Sequence, residues 1–178
     1  MPRHKARAVP EFGECPLENS RLTGLGQAHL MLMPAVDDSS GKQERSVIPV
    51  RALIIDDSSV MRKVIERALR QAGLDLTEVF QASNGQEALE VLQSDGDGTE
   101  KLGLIISDIN MPIMDGLQFL ELRRDRKLAP GVPVVMITTE GGEPFVLRAI
   151  AAGAQGYICK PFTADQVKAR VLPLVNAA

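Results

Sequence analysis

The stretch Leu102–Gly116, LGLIISDINMPIMDG, decides how this chain folds. Leu104, Ile105 and Ile106 are consecutive and apolar, the pattern of a strand buried on both faces rather than one alternating between core and water. The run stops at Asp108. Asn110, Pro112 and Gly116 follow it, residues that end strands and turn the chain. A carboxylate in that place is either a turn former or part of a site, and its neighbours decide which.

The same pattern recurs on both sides. VIPVRALIIDD, from Val47, is an apolar run that ends in Asp56 and Asp57. In SSVMRKVIERALRQAGL, Val60, Met61, Val64, Ile65, Ala68 and Leu69 recur at helical spacing, with Ser58 or Ser59 as cap and Gly73 as stop. TEVFQAS, from Thr77, is a short strand, and NGQEALEVLQ a helix. The turn-rich SDGDGTEK leads into the opening stretch. DGLQFLELRRDRK is a helix with Leu117, Phe119, Leu120 and Leu122 inward and its basic residues late. VPVVMITT is a strand, and EPFVLRAIAAG a helix with Pro144 in its first turn, where proline is tolerated. QGYICK is the last strand. TADQVKARVLPLV is the last helix, which Pro173 should kink or shorten. Strands that alternate with helices and are apolar throughout predict a parallel α/β sheet covered on both faces.

Residues 1–46 read differently. Pro2, Pro10, Pro16 and Pro34 interrupt them, no hydrophobic period survives, and six basic side chains are matched by six acidic ones. They are expected to be a disordered N-terminal extension, with residues 47–178 as the folded domain. The bulk numbers exclude several functions. A net charge of −3 leaves no basic footprint for nucleic acid. Aromatics make up 3% of the 178 residues, so there is no stacking platform for sugars or single strands. No stretch approaches the roughly 20 apolar residues of a membrane span, and no secretory signal is visible, so the cytoplasm is the expected compartment. Cys15 and Cys159 are far apart and read as reduced thiols.

In open parallel sheets, ligands gather beyond the carboxyl ends of the strands. There the chain places Asp56 and Asp57, Asp108, Thr138 and Thr139, and Lys160 followed by Pro161. Three carboxylates crowded together repel one another, and a hard divalent cation with oxygen ligands would offset that charge, Mg²⁺ above all. Lys160 supplies a point charge suited to a phosphoryl group, and Thr138 a hydroxyl donor. Together these make a phosphoryl-transfer site. Neither His4 nor His29 lies in the domain, so the candidate nucleophile is a carboxylate. Taken singly, each residue has a plainer reading as a cap, a solvated charge or a β-former. Their joint placement at one edge favours chemistry.

IIDDSSVMRK, ISDINMPIMDG, VVMITTE and GYICKPFT, in that order, resemble the receiver domain of two-component response regulators, especially its CheY-like chemotaxis branch. The resemblance covers about Val50 to Asn176. It implies a flavodoxin-like, doubly wound sheet of five parallel strands in the order 2-1-3-4-5, an order taken from that family. It further implies that Asp108 is the phosphoacceptor. Asp57, Asp108 and the backbone carbonyl of Asn110 would ligate Mg²⁺, with Asp56 acting largely through water. Lys160 and Thr138 would contact the phosphoryl group, and Thr139, larger than the residue many relatives carry there, would narrow access to it. Tyr157 matches the aromatic whose rotamer follows Thr138. Pro161 matches a proline preceded by a cis peptide bond, and Asn110 and Glu140 match the pair that influences phosphoryl lifetime.

The implied function is that of a stand-alone response regulator. A sensor histidine kinase phosphorylates Asp108, and the face of helix four, strand five and helix five binds a downstream protein, most readily a chemotaxis-type target. No output domain is expected beyond Ala178, so the message would pass to another protein. The chain would accept and lose a phosphoryl group rather than turn over a substrate as an enzyme does. A phosphorelay shuttle or phosphate sink is the alternative. A phosphohydrolase of the haloacid dehalogenase type would need D-x-D after the first strand, where this chain has DDSS. A degenerate receiver used as a scaffold is disfavoured because the expected site residues are present. Asp95 and Asp97, with Gly96 and Gly98, resemble a calcium loop only faintly, since the remaining ligands do not line up.

Overall fold

The computed structural model describes residues 48–94, 102–139 and 142–176. The expectations for 1–46, for the loop of Asp95 and Asp97, and for Glu140 lie outside the described residues. Among the described residues five strands alternate with five helices: β1 Ile48–Ile55, α1 Ser59–Gln71, β2 Leu74–Ala82, α2 Gly85–Gln93, β3 Leu102–Ser107, α3 Gly116–Asp125, β4 Val134–Thr138, α4 Glu143–Ala151, β5 Gly156–Cys159 and α5 Ala164–Val175. The strands form one sheet in the order β2-β1-β3-β4-β5, parallel at every pairing. Among the described residues no helix is long and apolar enough to cross a membrane.

β3, β4, β5 and the second half of β1 are buried from both sides and read as continuous apolar runs, while β2, at the edge of the sheet, is exposed at Asp75, Thr77, Glu78 and Gln81. On one face Ala52, Ile54, Leu104, Ile106, Val135, Ile137 and Ile158 pack with Ile65 and Leu69 of α1 and Val167 and Val171 of α5. The alternate residues Leu53, Ile55, Ile105 and Met136 are fully buried too, as are Leu89 of α2 and Phe119 and Leu120 of α3. With so few aromatics the core is aliphatic, and Phe119 is its largest fully buried side chain.

Local chemistry sets the element ends. Ser58 caps α1, its side chain accepting from the Met61 N–H at 3.3 Å. Gly73, at φ +102°, reverses the chain after α1. Asp115 and Gln118 form a capping box on α3, and Thr163 and Gln166 another on α5.

Three readings from the sequence need correction. Within α1 the buried stripe is Ile65, Ala68, Leu69 and the capping Ala72, while Val60 and Val64 are exposed. β2 starts at Leu74, because Leu74 and Leu76 face the core ahead of Thr77. α5 continues through Pro173 to Val175. Arg123, one of the late basic residues of α3, turns inward and is buried.

Arg123 closes the α3–β4 connection. Its Nη2 donates to the carbonyls of Ala129 at 2.6 Å and Val132 at 2.8 Å. Its Nε has no partner among the described residues, and burial pulls the guanidinium below the usual arginine range. The loop it clamps holds Lys127 at φ +53° and Ala129 at φ +44°, the left-handed region that L-residues avoid. That conformation costs about 1–2 kcal/mol per residue. Ala129→Gly removes the cost at one position and gives back part of it through a more flexible unfolded chain. The variant is expected to raise stability by about 0.5–1 kcal/mol, read as a higher urea midpoint at an unchanged slope. A lower midpoint would contradict the strain argument.

Candidate functional site

The register of the sheet builds the site. Ile55 of β1 pairs with Ser107 of β3, so the next residues, Asp56 and Asp108, leave adjacent parallel strands at the same level, strands that run about 4.8 Å apart. The Asp108 N–H donates to the Ile55 carbonyl at 2.9 Å, and the Asp56 N–H to the Ala82 carbonyl at 3.1 Å, extending the ladders past the strand ends. Thr138 pairs with Cys159, and the Lys160 N–H donates to the Thr138 carbonyl at 2.8 Å. Lys160 thus begins where β5 stops, and its long side chain reaches back over the edge of the sheet.

That side chain spans both buried acids. Its Nζ is 2.7 Å from Asp56 Oδ2 and 2.6 Å from Asp108 Oδ2. Asp56 and Asp108 are 1% and 6% exposed, so without the ammonium two charges would be buried side by side. Burial alone lowers the pKa of Lys160. Its hydrogen bonds to Asp108 and Asp56 and their negative charges outweigh that, and hold it above the ordinary lysine value. The Lys160 contribution to stability is therefore present below about pH 10.4 and lost as pH rises through the raised folded-state value.

The other carboxylate oxygens are also held. Asp56 Oδ1 accepts from the Ser58 N–H at 2.9 Å, and Asp108 Oδ1 from the Ile109 N–H at 2.6 Å. Asp57 is exposed at the rim. Single carboxylate oxygens of Asp56, Asp57 and Asp108 lie within 4.8 Å of one another. A set of three hard oxygen donors at that spacing, one of them open to solvent, fits a small divalent cation that keeps some of its waters.

Thr138 is fully buried and Tyr157 is 9% exposed, each on a strand that borders the site. Asn110, Thr139 and Pro161 are exposed, and the Lys160–Pro161 peptide bond is cis. The structure therefore joins Asp56, Asp108 and Lys160 by direct contact, with Asp57 close enough to share an ion.

Two neighbours escaped the sequence reading. Arg62, one turn into α1, donates from Nη1 to the Asp56 carbonyl at 2.6 Å and from Nε to Gln81 at 3.0 Å. It pins the peptide that joins the two acids, yet in the sequence it is one more charge on a polar helix face. Ser107 is fully buried and donates to the Asp108 carbonyl at 2.9 Å. Its only signal in the sequence is a hydroxyl at the end of an otherwise apolar run.

Comparison with known proteins identifies the family. The family model described as response regulator receiver domain matches residues 52–172. The chain is 38% identical over 122 residues to a chemotaxis protein CheY homolog of Campylobacter jejuni, covering 68% of this chain and 89% of that one. It is equally similar, at 38% over 122 residues, to chemotaxis protein CheY1 of Helicobacter pylori, 94% of which is covered. Among solved structures, chemotaxis response regulator CheY4 of Vibrio cholerae superposes with a TM-score of 0.59 at 30% identity, over 72% of this chain and 99% of that one. The receiver domain of the response regulator NarL from Mycobacterium tuberculosis gives 0.62 at 27% identity, over 74% and 99%. The fold and these matches show that the chain belongs to the response regulator receiver domain family, a family of signalling domains, and is CheY-like.

Proposed function

We propose that this chain is a cytoplasmic, stand-alone response regulator in which Asp108 accepts a phosphoryl group from a sensor histidine kinase. The observation that carries the reading is the contact of one Lys160 ammonium with both Asp56 and Asp108, at 2.7 and 2.6 Å, at the carboxyl edge of the sheet. Lys160 is then placed to meet phosphoryl oxygens while Asp108 forms the new bond. The matched span covers 89% and 94% of the two chemotaxis relatives, which supports a receiver working without an attached output domain. Residues 47–178 are taken as the receiver and 1–46 as an extension outside it.

In the reaction a carboxylate oxygen of Asp108 attacks the phosphorus of a phosphohistidine in line. The O–P bond forms as the N–P bond breaks, and the imidazole leaves with the electron pair. Asp56, Asp57, Asp108 and the Asn110 backbone carbonyl would hold Mg²⁺, which supplies neutralisation of the phosphoryl charge when bound. The product adds about −1.5 to −2 charge at the site. Thr138 hydrogen-bonds that group and Tyr157 repacks behind it. The face of α4, β5 and α5 then shifts its population toward a form that binds a chemotaxis-type target. Thr139 limits access to the phosphoryl group, and Asn110 with Glu140 sets how long it lasts.

Acetyl phosphate with Mg²⁺ is expected to label the protein once per chain, detected as an added phosphoryl mass. EDTA should remove the labelling while leaving the circular dichroism spectrum unchanged. Labelling that persists in EDTA would overturn the metal-dependent part of this reading.

A further inference from the structure

Ser107 is the one fully buried hydroxyl of β3, and the mechanism above gives it no task. It lies in a strand whose other residues are Leu, Gly and Ile. Its Oγ donates to the main-chain carbonyl of Asp108 at 2.9 Å. That carbonyl and the Ile109 N–H belong to one peptide unit, which is planar. The Ile109 N–H in turn donates to Asp108 Oδ1 at 2.6 Å. Both ends of the Asp108–Ile109 peptide are therefore tied, one by a buried hydroxyl and the other by the carboxylate itself. The other carboxylate oxygen, Oδ2, faces Lys160 at 2.6 Å.

We propose that Ser107 is a positioning residue for Asp108: by holding the Asp108 carbonyl it aims the Ile109 N–H at Oδ1 and presents Oδ2 as the oxygen that takes the phosphoryl group. The torsion between the Asp108 Cα and its carbonyl carbon is the soft degree of freedom here. Once the carbonyl is held, that torsion is fixed, and so is the direction of the N–H. Gly116 packs against the same carbonyl, since a Cβ there would fall 2.0 Å from its oxygen. The plainer alternative is that Ser107 only satisfies its own buried hydroxyl, which needs some acceptor. In that case its loss would cost stability and nothing else.

The inference rests on Asp108 being the phosphoacceptor. The experiment compares wild type, Ser107→Ala and Ser107→Thr for labelling by acetyl phosphate. Mg²⁺ affinity is measured by calorimetry, stability by urea unfolding, and the Ile109 amide is followed by NMR. Ser107→Ala is expected to lower the maximal labelling rate roughly 10- to 100-fold, the scale of a small misplacement of a reacting group. The half-saturating acetyl phosphate and the Mg²⁺ affinity should stay as in wild type. The Ile109 amide proton should move upfield as its bond to Oδ1 loosens, and Ser107→Thr should restore most of the rate. A wild-type chain labelled on Asp108, with Ser107→Ala equally fast or its Ile109 resonance unmoved, overturns this inference alone. A wild-type chain labelled at another residue, or not at all, overturns the assignment of Asp108 and this inference with it.

Discussion

An Asp108→Asn chain is expected to fold and to take up no phosphoryl group. The amide is close in shape to the carboxylate, so the fully buried neighbours Ile106 and Ser107 need not move. Its carbonyl oxygen can still accept the Ile109 N–H that Oδ1 accepts at 2.6 Å. Lys160 loses one anionic partner but keeps Asp56 at 2.7 Å, leaving one buried anion against one cation in place of two against one. Breaking a buried pair is costly when it strands a charge, and here no charge is stranded. The change in stability should stay within about 1 kcal/mol, the net worth of one hydrogen bond. Reactivity changes completely, because an amide oxygen is a poor nucleophile and cannot form a stable acyl phosphate. Intact-mass measurement after incubation with acetyl phosphate and Mg²⁺ should show no added phosphoryl group, while the thermal melt stays cooperative. Labelling at the wild-type rate would remove Asp108 from the mechanism, and a collapsed melt would assign it a structural role instead.

This separation of chemistry from stability reflects how the site is built. The sheet places Asp56 and Asp108 at neighbouring strand ends by register alone, since Ile55 lies beside Ser107. Two acids so placed and nearly fully buried require a cation, and Lys160 supplies it from the far side of β4. The arrangement has spare negative charge at its open rim, where Asp57 is exposed. With two buried acids against one buried ammonium and a third acid at the rim, the site keeps a net negative charge that would suit a divalent ion.

Much of this is legible in the sequence. A buried parallel strand cannot alternate, so LGLIIS announced itself by its lack of period, and the acid after it marked the sheet's carboxyl edge. The strand order was a different matter. Hydrophobic pattern places a strand in a sheet and not beside a particular neighbour, so 2-1-3-4-5 rested on the family resemblance. The misreadings share a cause. Val60 and Val64 are apolar and spaced like the core stripe, but a helix turns a hundred degrees per residue and only one side faces the sheet. Arg123 is buried although arginine usually stays in solvent. Two backbone carbonyls of a tight loop were the partners that drew it in, and loop carbonyls leave no trace in a residue list. Ser107 and Arg62 were missed for the same reason, since both act on main-chain carbonyls.

Gly116 is where a small substitution should cost most. It opens α3 after the capping Asp115, and the sequence suggested a residue that bends the chain clear of the site. The structure gives it a harder constraint. Its φ lies outside the left-handed region, so an alanine could adopt the backbone, and alanine favours a helix over glycine by about 1 kcal/mol. The added Cβ, however, would sit 2.0 Å from the carbonyl oxygen of Asp108 and 3.0 Å from Met136 Cε. The methionine tip can move. The carbonyl is held on the Ser107 hydroxyl at 2.9 Å, and the peptide's other end on Asp108 Oδ1 at 2.6 Å. Moving α3 away instead would disturb the Gly116 N–H bond to the Ile109 carbonyl at 2.9 Å and the Gly85 N–H bond to the Met114 carbonyl at 3.0 Å. Either relief spends more than the helix propensity returns, and Gly116→Ala should lose about 3 kcal/mol or more. The urea midpoint should fall accordingly. Among molecules that remain folded, labelling by acetyl phosphate should slow as well, since the relief rotates the peptide that aims Asp108. A variant with the wild-type midpoint would show that the loop yields freely. One with a lowered midpoint and an undiminished labelling rate would place the accommodation in α3 and leave the acid where it was.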